Sequence, residues 1–221
     1  MGKGEISGTE IGVLDLQGDV FEHLDHLERI GIHARKVKRA EELDNLAGLI
    51  IPGGESTCLS RLMSTFAIDQ AIVKKNKEGL KLWGTCAGAI LLARSIKGDV
   101  PHLGLIDMEI DRNSFGSQLD SFACENLVPK VSPLPIPLTF IRAPKIIGVG
   151  TGVDVLLRMD NFIAAAESAD VLVTVFHPEL TPSLEFHRYF ARKCGLDPLN
   201  DGEVPAPAWE GTSWMRFARI A

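Results

Sequence analysis

The sequence predicts an α/β protein whose central sheet is mostly parallel, with antiparallel strands added to it. In the N-terminal half, short apolar segments alternate with helical segments, which is typical of a parallel sheet covered by helices on both faces. In the C-terminal half, apolar segments follow one another with short connections, which indicates antiparallel strands. The chain has 221 residues and 45% apolar content, so it can bury a core as one compact domain, with or without a short appendage.

The N-terminal half contains three predicted strands, each followed within two residues by a glycine. These strands are Ile11–Leu16, Gly48–Ile51 and Leu80–Trp83. The predicted helices are Val20–Ile30, a segment that begins at Ser56, Asp69–Lys77 and Ala87–Arg94. The first helix places Phe21, Leu24, Leu27 and Ile30 on one face, at the spacing of an amphipathic helix.

The C-terminal half contains four further predicted strands, then a strongly apolar strand and a final helix. These strands are Asp107–Asp111, Leu138–Arg142, Val153–Arg158 and Phe162–Ala166, followed by Val171–Phe176 and the helix Pro182–Cys194. The proline-rich segment Pro129–Pro137 is predicted to be a loop or an extended connector. Gly148–Gly152 lacks the spacing of a dinucleotide-binding loop and no helix follows it, so a flexible turn is expected there.

Composition and charge argue against several classes of partner. The formal net charge is -6 and no long basic run occurs, whereas nucleic acid and anionic membranes require clustered Lys and Arg. The basic stretch Arg35–Arg39 is interpreted as a solvated strand edge or loop. No apolar run is long enough to span a bilayer, and the N-terminus lacks the apolar region of a signal peptide.

The cysteines indicate neither a disulfide framework nor a zinc site. The four are Cys58, Cys86, Cys124 and Cys194, and they show no CxxC spacing and no clustered histidines. We therefore expect a reducing cytoplasm and no metal or bound cofactor. Residues 1–194 are assigned to the main domain and 195–221 to a C-terminal extension. The extension contains Trp209, Trp214 and Phe217, so we expect it to pack on its own domain or on a neighbour.

The strongest local signal is the sequence Gly-Thr-Cys-Ala-Gly at residues 84–88, between a predicted strand and a predicted helix. Small residues around a central nucleophile are what a strand-to-helix elbow requires, because neighbouring backbone passes close to them. The free N–H groups at a helix N-terminus favour a thiolate at Cys86. The N–H of Ala87 can also stabilise an oxyanion. The alternative interpretation is a buried structural cysteine.

Two further motifs also follow predicted strands. In His177-Pro178-Glu179, residues i and i+2 of an extended segment point to the same side, so the carboxylate of Glu179 can orient the imidazole of His177. In Pro52-Gly53-Gly54-Glu55-Ser56, two glycines can expose backbone amides to a carboxylate or an oxyanion. Because these segments lie at strand ends on one edge of the sheet, Cys86, His177 and Glu179 are predicted to form a catalytic triad.

Together these motifs resemble the glutaminase subunit of the two-component pyridoxal 5'-phosphate synthases. The motifs that carry the resemblance run in family order: Leu16-Gln17-Gly18-Asp19, Pro52-Gly53-Gly54-Glu55-Ser56-Thr57, Gly84-Thr85-Cys86-Ala87-Gly88, the Arg-Asn-Ser-Phe-Gly-Ser-Gln segment 112–118, Phe140-Ile141-Arg142-Ala143-Pro144 and Phe176-His177-Pro178-Glu179-Leu180. The elbow and His-Pro-Glu motifs resemble class I glutamine amidotransferases in general. The Leu-Gln-Gly-Asp, Arg-Asn-x-Phe-Gly and Ile-Arg-Ala-Pro segments narrow the resemblance to this subfamily.

The resemblance implies a flavodoxin-like, three-layer class I glutaminase fold and a role in vitamin B6 biosynthesis. It implies that glutamine is hydrolysed to glutamate and ammonia through a cysteine thioester, and that a synthase subunit in a hetero-oligomer consumes the ammonia. It assigns the glutamine site to Gly53, Gly54, Glu55, Arg112, Ile141 and Arg142. It places Gln17 near the oxyanion hole, beside Gly54 and Ala87. A guanidinium suits the α-carboxylate of glutamine, which supports the arginines.

Two departures from the family pattern and two rival functions accompany this interpretation. Cys58 and Leu59 replace the usual Thr and Met, and residues 195–221 extend beyond the usual end of the family. One rival is another class I glutaminase, such as the one that serves imidazole glycerol phosphate synthesis. The second is a catalytically silent subunit, or a stress protein with a redox-sensing cysteine, against which the intact triad argues.

Overall fold

The computed structural model describes residues 8–112 and 121–200, and within them twelve strands and five α-helices. The strands are β1 (Glu10–Leu14), β2 (Ala34–Val37), β3 (Leu46–Ile51), β4 (Lys81–Thr85), β5 (Ala93–Ile96), β6 (Ile106–Asp111), β7 (Phe122–Asn126), β8 (Ile136–Phe140), β9 (Lys145–Val149), β10 (Asp154–Met159), β11 (Phe162–Glu167) and β12 (Val171–Thr174). The helices are α1 (Val20–Arg29), α2 (Ser56–Thr65), α3 (Ile68–Lys77), α4 (Ala87–Leu92) and α5 (Glu185–Lys193).

The main sheet has a parallel half and a mostly antiparallel half. Strands β2, β1, β3, β4 and β12 lie side by side and all pair in parallel. The sheet continues from β12 through β11, β9 and β6 by antiparallel pairings and ends at β5, which pairs with β6 in parallel. Strands β7 and β8 form a separate antiparallel ribbon. This confirms the predicted α/β class with a mostly parallel centre and added antiparallel strands.

Helices cover both faces of the sheet, as successive residues of β4 show. The Trp83 ring packs against Phe186 and Phe190 of α5. A Cβ on the next residue, Gly84, would instead lie 2.7 Å from the Leu92 side chain of α4. Because successive side chains of a strand point to opposite faces, α5 and α4 lie on opposite sides of the sheet. The three-layer arrangement is therefore confirmed.

The carboxyl ends of the parallel strands meet at one edge of the sheet. Gln17 follows β1, Gly53 follows β3, Cys86 follows β4 and His177 follows β12. This edge is the usual position of ligand sites in open α/β sheets. The fold therefore places the four sequence motifs together without requiring any of them to be close in the chain.

Several predicted elements were wrong in detail. The helix predicted over Ala87–Arg94 ends at Leu92, because Ala93 adopts extended backbone and starts β5, where it pairs with Ile106. The final helix begins at Glu185, not at Pro182. Phe21 does not join the packed face of α1. It is 69% exposed, and the Lys36 ammonium lies 3.8 Å above its ring.

The glycine- and proline-rich segments and the start of the extension were only partly predicted. Gly148 belongs to β9, and the turn comprises Gly150–Gly152. The proline-rich connector gives way to β8 at Ile136. After α5, the Leu199 N–H donates to the Ile30 carbonyl at 2.9 Å, so the chain packs on the end of α1. The three aromatic residues of the extension lie outside the described residues.

Candidate active site

Cys86 sits on a sharp turn between β4 and α4. Its backbone has φ 47° and ψ -103°, a conformation that costs energy for a residue with a side chain. The Cys86 N–H donates to the Thr174 carbonyl of β12 at 2.8 Å, which holds the turn against the neighbouring strand. Such a strained turn projects the side chain beyond the edge of the sheet, as the nucleophile elbow of α/β hydrolases does.

Glycines on both sides of Cys86 are required by close backbone packing. A Cβ on Gly84 would lie 2.5 Å from the Gly88 backbone, and a Cβ on Gly88 would lie 2.0 Å from the Ile51 carbonyl oxygen. Both distances are too short for real atoms. Gly84 and Gly88 are therefore required because their backbones pack against each other, and because Gly88 packs against Ile51 of β3.

His177 lies between Cys86 and Glu179. Its Nδ1 is 2.7 Å from Glu179 Oε1, which is a short hydrogen bond, and the ring also hydrogen-bonds to Cys86. The backbone N–H of His177 donates to the Thr139 carbonyl of β8 at 2.8 Å. His177 is 5% exposed and Glu179 is 1% exposed. The three residues that the sequence predicted as a triad are thus brought together.

Burial and mutual charge set the protonation of this pair. Burial alone lowers the pKa of His177, but the charge of Glu179 and the hydrogen bonds to Asp19, Cys86 and Glu179 raise this pKa well above its usual value. Burial alone raises the pKa of Glu179, but the neighbouring His23 and His177 lower it. Glu179 is therefore a carboxylate at neutral pH, and it stabilises the imidazolium form that His177 takes when it accepts the proton of Cys86.

The Gly53–Gly54 loop lies directly against this pair. A Cβ on Gly53 would be 2.5 Å from His177 Cε1 and 3.5 Å from the Cys86 Cβ, so only glycine fits there. Gly54 has φ 140°, which residues with side chains rarely adopt. The Glu55 N–H donates to Gln17 Oε1 at 3.3 Å. The predicted oxyanion residue Gln17 thus lies against this loop, where a Cβ on Gly54 would be 3.4 Å from its side-chain amide.

The N–H of Ala87 is a further donor at the elbow. Ala87 is the first residue of α4, and the first N–H groups of a helix have no carbonyl partner within the helix. Since Ala87 directly follows Cys86, its N–H is available near the nucleophile.

Glu55 and Arg112 form a second polar group at the start of α2. The Glu55 carboxylate caps this helix by accepting from the Thr57 and Cys58 N–H groups at 2.9 and 2.7 Å. Arg112 Nη2 donates to Thr57 Oγ1 at 3.1 Å and lies 3.6 Å from Glu55. Arg112 Nη1 donates to Asp99 at 2.8 Å. A guanidinium within this hydrogen-bonding group can pair with a ligand carboxylate.

Ile141 and Arg142 follow β8, the strand whose Thr139 carbonyl holds His177. Arg142 is exposed and has φ 45°. The backbone hydrogen bond between His177 and Thr139 places the end of β8, and with it Ile141 and Arg142, next to the triad. Of the Arg-Asn-Ser-Phe-Gly-Ser-Gln motif, residues 113–118 lie outside the described residues.

Sequence analysis missed two sets of residues at this site. Asp19 Oδ2 lies 3.4 Å from His177 Nδ1. Asp19 belongs to the Leu-Gln-Gly-Asp motif, but the sequence alone predicted no role for it at the site. His23 and His187 lie behind Glu179. Asp19, His177 and Glu179 are close enough to suggest metal ligands. However, the 2.7 Å contact between His177 and Glu179 is a hydrogen bond, which leaves no space for an ion between them. Four-residue spacing of Asp19 and His23 was a usable signal, since such residues share a helix face.

Comparison with known proteins shows which family the chain resembles along most of its length. The model described as the SNO glutamine amidotransferase family matches residues 13–196. A protein of Syntrophus aciditrophicus named pyridoxal 5'-phosphate synthase subunit PdxT is 57% identical, with 94% of each chain covered. A protein of Clostridium botulinum with the same name is 49% identical over 83% of this chain and 96% of its own.

Solved structures agree. A structure titled "Crystal structure of glutamine amidotransferase" has a TM-score of 0.79 and 42% identity, and it covers 84% of this chain and 99% of its own. PurLQS from Thermotoga maritima has a TM-score of 0.64 at 19% identity, covering 85% of this chain and 97% of its own, which supports the fold alone. The family model matches most of the chain, and one relative is 57% identical over 94% of it. This chain therefore belongs to the SNO glutamine amidotransferase family.

Proposed function

We propose that this chain hydrolyses L-glutamine to L-glutamate and ammonia at Cys86, and that a pyridoxal 5'-phosphate synthase subunit consumes the ammonia. The observation that carries the proposal is the nucleophile elbow. Cys86 has strained backbone and hydrogen-bonds to His177, whose Nδ1 lies 2.7 Å from a buried carboxylate. A thiol, a base and a group that orients the base are the components of covalent acyl transfer.

The reaction proceeds by two acyl transfers. His177 takes the proton of Cys86, and the sulfur attacks the side-chain amide carbon of glutamine. The tetrahedral oxyanion is stabilised by backbone N–H groups of Ala87 and Gly54. The C–N bond breaks as His177 returns its proton to the leaving nitrogen, which departs as ammonia. Water, deprotonated by His177, then hydrolyses the γ-glutamyl thioester to glutamate and restores the thiol.

Glutamine recognition is assigned to the rim of this site. The guanidinium of Arg112 and the backbone of Ile141-Arg142 are proposed to bind the α-carboxylate and the body of the substrate, while Gly53, Gly54 and Glu55 line the end near Cys86. The contacts of Arg112 with Thr57 and Glu55 support this assignment, because they hold the guanidinium at the mouth of the Gly53–Gly54 loop.

The partner is proposed from the names of the relatives. Two relatives carry the name of a pyridoxal 5'-phosphate synthase subunit, so we expect a hetero-oligomer with a synthase that uses a pentose phosphate and a triose phosphate. Neutral ammonia is protonated in bulk water, so direct transfer between subunits conserves its reactivity. A reducing cytoplasm is the proposed compartment, since all four cysteines are free thiols.

Residues 1–194 are proposed to form the glutaminase domain and residues 195–221 an extension of it. The contact between Leu199 and Ile30 indicates that the first part of the extension packs on α1. A chain that ends at Asn200 should therefore keep its glutaminase activity, measured as glutamate release. Loss of activity in a folded truncation would assign the extension to the site. The structure describes no helix between residues 8–112 or 121–200 that is long and apolar enough to cross a membrane.

Replacement of the nucleophile tests the proposal. Cys86→Ala should abolish glutamate release and thioester formation while the fold persists, because alanine is small and the position lies among small residues. Cys58→Ala is the matched control, since Cys58 is the exposed thiol at the start of α2. A glutamine-mimicking electrophile should label Cys86, and glutamine should protect it. Glutamate release by Cys86→Ala near the parent rate would refute the assignment.

A further inference from the structure

Three buried histidines lie behind Glu179, on the side away from His177. His23 and His26 belong to α1 and His187 belongs to α5. Their relative exposures are 0%, 1% and 0%. None of them reaches the Cys86 thiol in the proposed reaction, yet buried polar side chains are costly unless they make hydrogen bonds. Their arrangement therefore requires a reason.

The three imidazoles form a chain that ends at the free oxygen of Glu179. Glu179 Oε1 is occupied by His177, while Oε2 is buried, has no hydrogen bond among the described residues and lies 3.5 Å from His23 Nε2. His23 Nδ1 is 2.9 Å from His187 Nε2, and His187 Nδ1 is 3.2 Å from His26 Nδ1. Each contact joins one ring nitrogen to one ring nitrogen of the next histidine.

All three histidines are neutral at physiological pH. Burial lowers the pKa of His23, and it lowers that of His187 well below the usual value. Burial, followed by the neighbouring His23 and Arg29, lowers the pKa of His26 to about 3. The other ionisable groups near His23 are Glu179, Asp19 and His177. A neutral imidazole has one N–H donor and one acceptor nitrogen, so each contact must pair a donor with an acceptor.

Only one direction of donation suits a carboxylate at the end of the chain. If His23 carries its proton on Nε2, it donates to Glu179, and its Nδ1 accepts from His187 Nε2–H. His187 Nδ1 then accepts from His26 Nδ1–H. This leaves the acceptor lone pair of His26 Nε2 unused, and His26 Nε2 has no hydrogen-bond partner among the described residues. The reverse direction would set a His23 lone pair against the carboxylate oxygen.

We propose that His23, held in one tautomer by His187 and His26, is a positioning residue that donates to Glu179 Oε2 and so keeps Oε1 on His177. This inference rests on the proposed role of Glu179 in the triad. The Trp83 ring packs edge-on against His23 and His187, with centroid separations of 5.5 and 4.9 Å, which restrains both imidazoles. The Thr85 hydroxyl oxygen lies 3.4 Å from His23 Nε2 and can share the same N–H.

The tautomers can be observed directly. The full chain, labelled with ¹⁵N at histidine, should show His23 at neutral pH with its proton on Nε2 and an unprotonated Nδ1; loss of the signal in His23→Gln assigns it. A His23 that is an imidazolium, or that carries its proton on Nδ1, would overturn the proposal. This measurement needs no glutaminase activity, so its result stands apart from the outcome for Cys86→Ala.

Two isosteric replacements separate positioning from packing. The amide nitrogen of glutamine can occupy the place of Nε2, whereas that of asparagine occupies the place of Nδ1. With the synthase partner present, His23→Asn should lower kcat on the order of tenfold to a hundredfold, as for other groups that orient a reacting side chain. The KM for glutamine should stay unchanged, and His23→Gln should restore most of kcat. Equal kcat in the two variants would refute the donor role.

A substitution one step farther along the chain extends the test. His187→Asn removes the donor to His23 Nδ1 without touching the triad, and it should lower kcat in the same direction and allow His23 both tautomers. His187→Gln, which keeps a donor near the place of Nε2, should preserve the parent tautomer. The exposed His33 is the control, and His33→Asn should leave kcat unchanged. A His187→Asn variant with the kcat of the parent and a single His23 tautomer would contradict the proposed role of His187 in the chain of histidines.

Discussion

At the scale of single residues, the site depends on how burial and hydrogen bonds distribute charge. Glu179 is buried, and burial alone would favour its neutral form; His177 and His23 keep it ionised. The ionised carboxylate in turn raises the pKa of His177. Asp19, 3.4 Å from His177 Nδ1, adds a second negative charge on the same side. We therefore expect the reactivity of Cys86 to depend on Glu179 and Asp19 as well as on His177.

Arg112 is the residue whose loss should separate binding from chemistry. Arg112→Ala should raise the KM for glutamine with little change in kcat, because a charged hydrogen-bond pair with the substrate carboxylate is lost. The expected cost is on the order of 2–5 kcal/mol of binding free energy, measured by titration with glutamine. Arg94→Ala removes a comparable ion pair at the surface, the one with Asp107, and should leave KM unchanged. Parent affinity in Arg112→Ala would exclude the assigned role.

At the scale of elements, the turn between β4 and α4 can form only because glycines allow the neighbouring backbones to approach closely. Cys86 can hold its strained backbone because the turn is pinned by the Thr174 carbonyl and by the close approach of α4 to β3. The helix α4 is short and ends where β5 begins. The loop after β3 closes over the elbow from the other side, so the nucleophile is enclosed by three elements.

A methyl group at Gly88 should damage this element. Its Cβ would lie 2.0 Å from the Ile51 carbonyl oxygen, so α4 or β3 must shift. Gly88→Ala should lower the free energy of unfolding by about 1–3 kcal/mol and reduce glutaminase activity, as measured by denaturant unfolding and glutamate release. In the control variant Gly148→Ala nothing lies within 4 Å of the new Cβ. This variant should keep the parent stability and the parent glutaminase activity. A Gly88→Ala protein with parent stability would show that the elbow tolerates expansion.

At the scale of the whole molecule, the carboxyl edge of the parallel strands holds the candidate active site and also carries exposed residues. Gln17 is exposed at this edge, and its side chain accepts from the Glu55 N–H. Gly18 packs so tightly on the Gly53 carbonyl that a Cβ would lie 1.9 Å away. We therefore expect a movement of the loop after β1 to shift the loop that carries Gly53 and Gly54.

The isolated chain should consequently be a poor glutaminase that its synthase stimulates. Docking on Gln17 is expected to turn a Gly53–Gly54 amide into the oxyanion hole, and one such donor is worth on the order of 10²–10³ in rate. Glutamate release is measured with and without synthase. Gln17→Ala should lose most of the stimulation, whereas Gln70→Ala, at an exposed glutamine of α3, should not. Equal rates with and without the synthase, or full stimulation of Gln17→Ala, would contradict this mechanism.

The sequence by itself determined the fold class, the elbow and the candidate catalytic motifs, because each of them can be recognised from residues that are close together in the chain. Apolar strands followed by glycine, the small residues around Cys86 and the i, i+2 spacing of His177 and Glu179 need no distant partner to be recognised. The same holds for the family, whose motifs are contiguous in the chain. The strands Ala93–Ile96, Phe122–Asn126 and Lys145–Val149 were missed, because their pairing partners, not their own composition, make them strands.

Only the tertiary structure decided which side chains surround the triad. His23, His26 and His187 come from two helices far apart in sequence, and apart from the four-residue spacing of Asp19 and His23 nothing in either helix distinguishes them from ordinary polar residues. Folding of α1 against α5 places them behind Glu179 and removes water from them. Their protonation and their hydrogen-bond direction follow from that burial. Spacing along the chain fixes the reacting groups, whereas long-range packing fixes the charge and orientation of those groups.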